Sequence, residues 1–464
     1  MKDMIRMTAG LAVAALVVLG QAGCTREAGP LSTKPVRTEL ESGITLLVQP
    51  IAGAERVGVE FLYRVGFLDE PENRPQLAHL MEHLACKSST GSHRAGESWN
   101  WLQENGTVNA ETLPTYTHYD YGVAVGDLER VLEIEADRMQ SLQLDTEVTE
   151  REASYCYAEI ANLEKHESAP MIKFATMAAH QAWRFGSNAV TLASGLETIP
   201  EEEIAAFYRT HYHPRNLVIA ITGGVSAERA LALVRESFDD LGLPEPGRIR
   251  PTDWSGLPPV AEVTWDSPVS AVFVWFEPPG DELERRVLSL WGNLARLHLV
   301  QDVEISAVAR FVMAPSHVWP VGRLPFFVYA SVAEGYTARQ VHRAIGDRLE
   351  EIARKMVEGD GAAQLQSLVR QLELQGTLGK KSVDAQMQFL TEQRGMEEDR
   401  ARDQVFLQHS INAGVRDGFF GGDVTAGIEE LKRVDEAQLR SILERALDET
   451  KRHVTVLNPA GAGR

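Results

Sequence analysis

Two histidines and a glutamate within one five-residue segment are the residues of this chain best spaced for chemistry. The segment is His79-Leu80-Met81-Glu82-His83. On a helix, residues three and four apart share a face, so His79 and His83 could offer imidazole nitrogens to one metal ion, with the Glu82 carboxylate beside them. A catalytic zinc takes three protein ligands and leaves a fourth position for water. The segment therefore predicts two ligands of a zinc centre.

The order of the residues in this segment is informative, because Glu follows the first His by three positions and reverses the His-Glu-x-x-His pattern. With this inverted motif the chain resembles the M16 metallopeptidases, the group of pitrilysin, insulinase and the mitochondrial processing peptidase. The resemblance implies that Glu159, 76 positions after His83, is the third ligand of one Zn²⁺ ion per chain. It also implies that Glu152, two helical turns before Glu159, is a supporting acidic residue. Glu82 would then be the general base that acts on a zinc-bound water.

Two further segments carry the resemblance. They are Asn109-Ala110 with Thr112, Thr117 and Tyr119, and Pro214-Arg215-Asn216 before the apolar run 217–221. In the family an extended substrate adds to an exposed strand edge, which implies that Asn109 and Ala110 bind the peptide through backbone pairing. A plain turn at the edge of a sheet is the alternative for this pair.

The resemblance also implies a pair of residues that holds the scissile carbonyl. Active members of the family use an Arg and a Tyr from the C-terminal region. Here Arg323 and Tyr329 lie six apart in a predicted strand, so both side chains could face the same side. The alternative is that Tyr329 is an ordinary core residue and that a second subunit supplies the pair.

The chain is long enough for two domains, because 464 residues exceed what one core usually holds. The mixed order of predicted strands and helices indicates an α+β fold with two related domains, each a mixed β-sheet packed with helices. We place a zinc-binding domain at 34–242, a linker that carries Pro and Gly at 243–260, and a second domain at 261–459. The second half roughly repeats the order of elements without a second His-x-x-Glu-His, in agreement with the family resemblance, which implies a C-terminal domain without metal.

The first residues have the pattern of an export signal. Two basic residues precede an apolar run over 11–19, which is far shorter than the about 20 residues of a membrane span. We predict a signal peptide over 1–23, and the segment before Cys24 resembles a bacterial lipoprotein site at which this cysteine is lipidated. The expectation is an outer-membrane lipoprotein that faces the periplasm. The alternative is cleavage near Ala22 and release of a soluble protein.

The charge and the cysteines narrow the classes of protein that fit. A formal net charge of −20 disfavours a nucleic-acid partner.

Only Cys86 and Cys156 follow Cys24, too few for a disulfide framework. Each lies three residues from a predicted ligand. They are expected either as small buried side chains or as one disulfide that ties together the two metal-bearing helices.

Two functions remain open at this point. The first is a zinc-dependent endopeptidase that hydrolyses short or unfolded peptides. The second is a non-catalytic or partner-dependent scaffold subunit; the intact motif with Glu82 counts against it, because subunits of that kind usually lose these residues. Zinc as structural glue is disfavoured, since structural zinc takes four protein ligands. Chains of this size in the family form two-subunit assemblies, which implies a homodimer or a heterodimer with a second M16-like subunit.

Overall fold

A computed structural model describes most of the chain. The described residues are 34–71, 74–164, 170–179, 195–239, 241–243, 245–246, 257–265, 269–314, 325–375, 380–419 and 421–459. The predicted signal peptide over 1–23, Cys24, Arg323 and most of the predicted linker lie outside them. Within the described part of the chain, no helix combines the length and the apolar composition that a membrane crossing requires.

The first sheet contains the six N-terminal strands. They are β1 (Val36–Glu39), β2 (Thr45–Pro50), β3 (Arg56–Tyr63), β4 (Gly106–Thr112), β5 (Thr117–Ala124) and β6 (Leu217–Gly223). Their order in space is β1-β2-β6-β3-β5-β4. All neighbours are antiparallel except β2 and β6, which are parallel. Strand β4 therefore forms one edge of this sheet.

The second sheet repeats this arrangement. Its strands are β7 (Val260–Trp265), β8 (Ala271–Phe276), β9 (Ala309–Met313), β10 (Phe327–Val332) and β11 (Arg452–Pro459), in the order β7-β11-β8-β10-β9. Only β7 and β11 are parallel. Apart from β1, the two sheets share the same strand order, with the parallel pair at the same place. This topology confirms the prediction of an α+β fold with two related units, each a mixed sheet packed with helices.

Helices cover both sheets. In chain order they are α1 (Leu77–Lys87), α2 (Glu97–Asn105), α3 (Leu128–Ser141), α4 (Thr146–Glu164), α5 (Pro170–Ala179), α6 (Glu201–His211), α7 (Ala227–Phe238), α8 (Glu282–Val300), α9 (Val303–Val308), α10 (Ala338–Glu358), α11 (Gly361–Gln375), α12 (Lys380–Gln388), α13 (Glu398–Phe419), α14 (Val424–Lys432) and α15 (Glu436–Ala446). One apolar core joins the first sheet to α1, α3 and α7. A second core joins the other sheet to α8, α10 and α15.

Strand β3 shows that the first sheet is buried on both faces. Val59 and Phe61 belong to the main core with α1, whereas Leu62 belongs to a smaller cluster on the opposite face. Successive strand residues point to opposite faces, so Glu60 shares that second face with Leu62. Glu60 is fully buried. The second face of this sheet is therefore covered rather than solvated.

On each sheet, a helix from the other half of the chain covers the face that lies opposite the main core. Helix α13 packs across β3, β5 and β6, and Ser410 on this helix donates a hydrogen bond to the Gly58 carbonyl at 3.0 Å. In the opposite direction, α5 packs on the second sheet, where the ring of Phe174 stacks on that of Phe327 with centroids 4.5 Å apart. The two halves thus exchange helices. The sequence limits given above for the domains stay a prediction.

Arg56 and Asp403 join α13 to the first sheet. Arg56 donates to Asp403 through Nε at 2.5 Å and through Nη2 at 2.7 Å, and Thr107 donates to the same carboxylate at 3.0 Å. Replacing Asp403 by Ala would leave these donors without their acceptor in a mostly buried contact, so we expect the free energy of unfolding to fall by about 3 kcal/mol. Urea unfolding measures this. Asp384→Ala, at an exposed site on α12, is the matched control, and an equal loss in both would contradict the prediction.

Candidate metal centre

Helix α1 places the inverted motif inside the first unit. Its apolar residues Leu80 and Leu84 are fully buried against the core. At the start of the helix, the Glu70 carboxylate accepts a hydrogen bond from the Ala78 amide at 3.1 Å. An acceptor at this end satisfies one of the amides that an α-helix leaves free. Apolar packing therefore holds α1 against the core, and the hydrogen bond with Glu70 holds its first turn.

His79, His83 and Glu159 come together where α1 packs on α4. The two imidazole rings are 4.9 Å apart between centroids and nearly perpendicular, at 88°. His79 Nε2 lies 3.9 Å and His83 Nε2 lies 3.8 Å from Glu159 Oε2. Donor atoms that share a zinc ion with bonds near 2.0–2.2 Å are roughly 3–4 Å apart. Each predicted histidine ligand is therefore at ligand-set spacing from Glu159.

The other ring nitrogen of each histidine contacts an oxygen acceptor. His83 Nδ1 lies 3.2 Å from Glu152 Oε2, and His79 Nδ1 lies 3.2 Å from Gln76 Oε1. Each contact favours the tautomer with hydrogen on Nδ1, because a carboxylate or amide oxygen can only accept. Both Nε2 atoms are then left as electron-pair donors on the side of Glu159. Outer hydrogen bonds of this kind orient metal-binding histidines.

Glu82 is a buried carboxylate beside this ligand set. Thr112, at the end of β4, donates a hydrogen bond from Oγ1 to Glu82 Oε2 at 2.6 Å. Burial raises the pKa of Glu82 to about 7, against the opposing influence of His83 and of this hydrogen bond. A group that takes up and returns protons works best with a pKa near the operating pH. Glu82 thus has the placement and the surroundings of an acid–base group.

Burial and contacts also set the charge of the other members. Burial lowers the pKa of His79 well below its usual range, and the neighbouring His83 adds to the effect. Burial alone would raise the pKa of Glu152, but contacts with His83 and Arg151 outweigh it and hold that pKa below its ordinary value. Neutral imidazole and ionised carboxylate are the forms that metal binding needs. His79 is therefore held in the neutral form that a divalent cation binds. Against the effect of burial, contacts with Cys156 and Glu152 raise the pKa of His83, and burial raises the pKa of Glu159, so a cation that binds here would displace protons.

Replacing Glu152 by Gln should weaken zinc binding at this centre by about 10–100-fold. The amide keeps the size of the side chain but loses the negative charge that acts on His83 through Nδ1. Titration of metal-depleted protein with Zn²⁺ in a calorimeter measures the affinity. Glu150→Gln changes an exposed carboxylate on the same helix and should leave the zinc affinity unchanged. An equal loss of affinity in Glu150→Gln would show that any loss of negative charge on α4 weakens zinc binding.

Cys156 lies beside the histidines as well. One donor atom each from His79, His83 and Cys156 lie within 4.8 Å of one another, and all three residues are buried. Cys86 and Cys156 are both free. The expectation of small buried side chains is therefore confirmed, and the alternative of a disulfide between them is wrong. Burial raises the pKa of Cys156, which favours the thiol over the thiolate that metals bind.

Cobalt substitution should assign the third ligand to Glu159 and not to Cys156. A Co²⁺ ion held by two imidazoles and a carboxylate lacks the intense sulfur-to-metal absorption of a thiolate complex. We expect Cys156→Ser to leave the Co²⁺ spectrum unchanged and Glu159→Gln to alter it. A strong near-ultraviolet band that disappears in Cys156→Ser would assign the thiolate instead.

The segment Asn109-Ala110 lies in the edge strand β4. Its two side chains point to opposite faces of the sheet. Asn109 Nδ2 lies 3.5 Å from Asp120 Oδ2 on the face covered by α13, whereas Ala110 packs against the core that includes α1. Among the described residues, β4 pairs with β5 and has no strand on its other side. The segment is thus a strand and not a turn, and its role in peptide binding stays a prediction.

Tyr329 lies in β10, in the core of the second sheet. Its side chain is buried, and its ring centroid is 5.0 Å from that of Phe273 and 6.1 Å from that of Phe311. Arg323 lies outside the described residues. The position of Tyr329 matches an ordinary core residue, and the assignment of this pair to the scissile carbonyl stays a prediction.

Gln76 and Thr112 contact the site, although the sequence assigned neither a role there. Gln76 is buried and has a φ of 70°, a positive value that no other non-glycine residue in the described ranges has. Backbone strain of this kind persists where the surroundings enforce it, often at functional sites. Gln76 immediately precedes α1 and is not part of the helix, so no helical spacing marks it. Thr112 lies two residues after Ala110, on the same strand face, and this spacing is the signal that could have identified it.

The stretch that contains these residues matches a known family. Residues 48–190 match the family model described as insulinase (peptidase family M16), and residues 198–287 match the one described as the peptidase M16 inactive domain. The first match includes the inverted motif and, on α4, Glu152 and Glu159.

Named relatives and a solved structure agree with this match. The zinc protease PqqE of Helicobacter pylori is 25% identical over 240 residues, which are 51% of this chain and 53% of that protein. The human mitochondrial-processing peptidase subunit beta is 26% identical over 203 residues, 44% of this chain and 41% of that protein. The chain spans about half the length of these curated relatives. A crystal structure of a protease from Helicobacter pylori has the same fold, with a TM-score of 0.62 at 18% identity over 92% of this chain and 100% of that one.

The family matches cover the motif helix, the acidic helix α4 and the strand after them. The two sheets of shared topology agree with the fold of the solved structure. The chain is a member of peptidase family M16, a family of metallopeptidases.

Proposed function

We propose that this chain is a zinc-dependent endopeptidase that hydrolyses short or unfolded peptides. The observation that supports this best is the convergence of His79 Nε2, His83 Nε2 and Glu159 Oε2 next to Glu82. Two imidazoles and one carboxylate suit one Zn²⁺ ion at this centre. Three protein donors leave a coordination position open, as a catalytic zinc requires, whereas a structural zinc takes four.

The chemistry is divided between the metal and Glu82. When bound, zinc polarises the peptide carbonyl and lowers the pKa of a water molecule at the open position. Glu82 accepts a proton from the attacking water and passes it to the leaving amine nitrogen. The water oxygen bonds to the carbonyl carbon and the C–N bond breaks, which yields a carboxylate and an amine. The hydrogen bond from Thr112 holds the Glu82 carboxylate in place.

The edge strand β4 is the proposed binding surface for the peptide. Its last residue, Thr112, contacts Glu82, so a peptide paired with this edge would run beside the acid–base group. Backbone pairing uses amide and carbonyl groups that every residue has. Selection would therefore depend on an extended shape more than on side-chain identity, which favours short or unfolded substrates. Asn109 and Ala110 would take part through their backbone.

A second M16-like subunit, identical or different, is the proposed partner. The human relative is named as one subunit of a peptidase, and the chain matches only part of its relatives' length. A partner would supply the residues that hold the scissile carbonyl if Arg323 and Tyr329 do not. Size-exclusion chromatography with light scattering tests for a homodimer, and co-purification from the native envelope tests for a different partner.

The proposed location is the periplasmic face of the bacterial outer membrane. The support is the N-terminal pattern: two basic residues, a short apolar run over 11–19, and small residues before Cys24. Mass spectrometry of the N-terminus from the native envelope tests this, because a lipidated Cys24 would be the first residue. An unmodified N-terminus near Ala22 would show ordinary signal cleavage instead.

Hydrolysis of a quenched fluorescent peptide library by the purified mature chain tests the activity. Zinc removal by a chelator should abolish hydrolysis, and added Zn²⁺ should restore it. Zinc bound at the His79 centre without hydrolysis, even after a partner is added, would favour the scaffold alternative. That alternative has one observation behind it, the match of 198–287 to an M16 domain described as inactive. Failure to bind any zinc at this centre would reject the proposal.

A further inference from the structure

A second group of acidic residues and a histidine lies on the opposite face of the first sheet. It consists of Glu60 on β3, His118 and Asp120 on β5, and Glu111 on β4. Glu60 is directly opposite Asp120 in the β3–β5 pairing, and Glu111 is directly opposite His118 in the β4–β5 pairing. Residues opposite each other in antiparallel strands point to the same face. We call these four residues the β5 cluster.

Three members of the β5 cluster present donor atoms to one point. His118 Nδ1 lies 3.0 Å from Asp120 Oδ1 and 3.8 Å from Glu60 Oε1. One donor atom from each of the three lies within 4.8 Å of the others, and all three residues are buried. Bonds near 2.0–2.2 Å place neighbouring donors of one metal ion roughly 3–4 Å apart. The spacing is therefore that of a ligand set, as it is at the first centre.

Glu60 is the member of the cluster whose buried negative charge is least compensated. It is fully buried, and neither carboxylate oxygen accepts a hydrogen bond from any described residue. Among the described residues, the ion pairs of Glu60, Asp120 and Glu111 are all with His118. Three carboxylates therefore share one imidazole. A buried charge without adequate pairing is costly, unless a cation coordinates it or a proton neutralises it.

The remaining nitrogen of His118 has an outer carboxylate. His118 Nε2 lies 3.5 Å from Glu111 Oε2, and the Glu111 side chain is 31% exposed at the sheet edge. A hydrogen on Nε2 would leave Nδ1 as the electron-pair donor toward Glu60 and Asp120. The first centre has the same arrangement, in which Glu152 contacts the Nδ1 of His83. Glu111 also gives the cluster a polar route to solvent.

We propose that Glu60, His118 and Asp120 bind a second divalent transition-metal ion, with Glu111 as the outer carboxylate that orients His118. One imidazole and two carboxylates suit Mn²⁺, Fe²⁺ or Zn²⁺ better than Ca²⁺, which takes oxygen ligands. The ion would link β3 to β5 beneath α13. This helix lies close to the cluster, since a Cβ atom added at Gly414 would be 4.0 Å from Glu60 Oε1. The site lies on the opposite face of the sheet from the peptidase centre, and its ion would complete its coordination with water. It stabilises the sheet that carries the edge strand β4.

Metal content of the full chain tests this site separately from the first one. Protein is loaded with Mn²⁺ or Zn²⁺, dialysed and analysed by mass spectrometry of the metal. We expect the wild type to hold one ion more than Glu60→Gln and one ion more than His79→Ala, with the double variant lower by two. Glu104→Gln, an exposed carboxylate on α2, should match the wild type. A Glu60→Gln protein with the metal content of the wild type would overturn the proposal, whatever His79→Ala does.

Thermal unfolding with and without metal provides a second readout. Added Mn²⁺ should raise the Tm of His79→Ala, which keeps only the second site, and should not raise that of the Glu60→Gln and His79→Ala double variant. Without metal, Glu60→Gln should be at least as stable as the wild type, because it removes a buried charge. If Glu60→Gln does not fold, Asp120→Asn takes its place. An equal Mn²⁺ shift in both proteins would reject the site.

Discussion

Replacing Glu82 by Gln is expected to lower kcat for peptide hydrolysis by about 10²–10⁴-fold, while the zinc content and the fold stay those of the wild type. Glutamine has nearly the same size and can still accept the hydrogen bond that Thr112 donates. It cannot take a proton from water. The contacts of His79 and His83 with Glu159 do not involve Glu82, so the metal centre should remain intact.

Initial rates with a cleaved library peptide, measured beside zinc content, decide this prediction. Thr112→Val is the graded comparison, because it removes the hydrogen bond that holds Glu82 and, besides that, only the longer 3.5 Å contact from Thr117. A hydrogen bond to a charged group contributes about 1.5–3 kcal/mol, so this variant should be slower by roughly 10–100-fold. Full activity of Glu82→Gln would exclude Glu82 as the general base. Loss of zinc from Glu82→Gln would assign it to metal binding instead.

The candidate site was the part of this molecule most accessible from the sequence. Helical spacing alone places His79, Glu82 and His83 on one face, because side-chain direction in a helix is fixed by the backbone. The family resemblance added Glu159 and Glu152, and the packing of α1 on α4 brings both to the histidines. Strand alternation indicates the face on which Thr112 lies, but the contacts of Gln76 and Thr112 with the site do not follow from the sequence. Both depend on where a loop and a strand end relative to α1.

Most elements of the fold were also predictable, since their apolar residues recur with the period of a helix or a strand. The apolar run Ala271–Phe276, for example, forms β8 over its whole length, and all six of its residues are buried. The edge strand β9 (Ala309–Met313) has no such signal. Its residues Arg310 and Phe311 are exposed, so no run of buried apolar residues marks it.

The long helix α13 has no clear signal in the sequence, for a different physical reason. The polar residues Asp403, Ser410 and Asp417, spaced by seven, are buried on it. They contact Arg56, Gly58 and Arg37 of the first sheet. A helix attached by polar side chains to a distant sheet lacks the simple apolar stripe that predicts a helix. The exchange of helices between the two halves could not be read from the sequence for the same reason.

The burial of polar residues under α13 also explains why the β5 cluster lies apart from the peptidase centre. Alternate residues of one strand face opposite sides, so β5 presents Tyr119 and Tyr121 to the main core and His118 and Asp120 to α13. The same alternation on β4 sends Thr112 to Glu82 and Glu111 to His118. One sheet edge thus connects two polar clusters on its two faces. A substitution at one cluster can be tested without altering the ligands of the other.

Replacing His79 by Ala is expected to remove the zinc of the peptidase centre and, with it, all measurable hydrolysis. His79 provides one of three protein donors, so the loss of affinity should exceed the about 10–100-fold expected for an outer residue. The fold should survive, because α1 keeps its apolar residues in the core. The Gln76 side chain would lose its contact with His79 Nδ1, which costs about 1–3 kcal/mol of stability when the freed group is buried.

Zinc titration, metal analysis and hydrolysis on the same preparation test this expectation. The zinc content should fall by one equivalent relative to the wild type, and added Zn²⁺ at concentrations that saturate the wild type should not restore activity. His298→Ala is the matched control, because that histidine is exposed near the end of α8, and it should change neither quantity. Activity restored to the wild-type rate by excess zinc would mean that His79 sets affinity without being required for the reaction. A variant that keeps its zinc would place the metal elsewhere, since the remaining donors His83 and Glu159 provide only two of the three positions that a catalytic zinc needs.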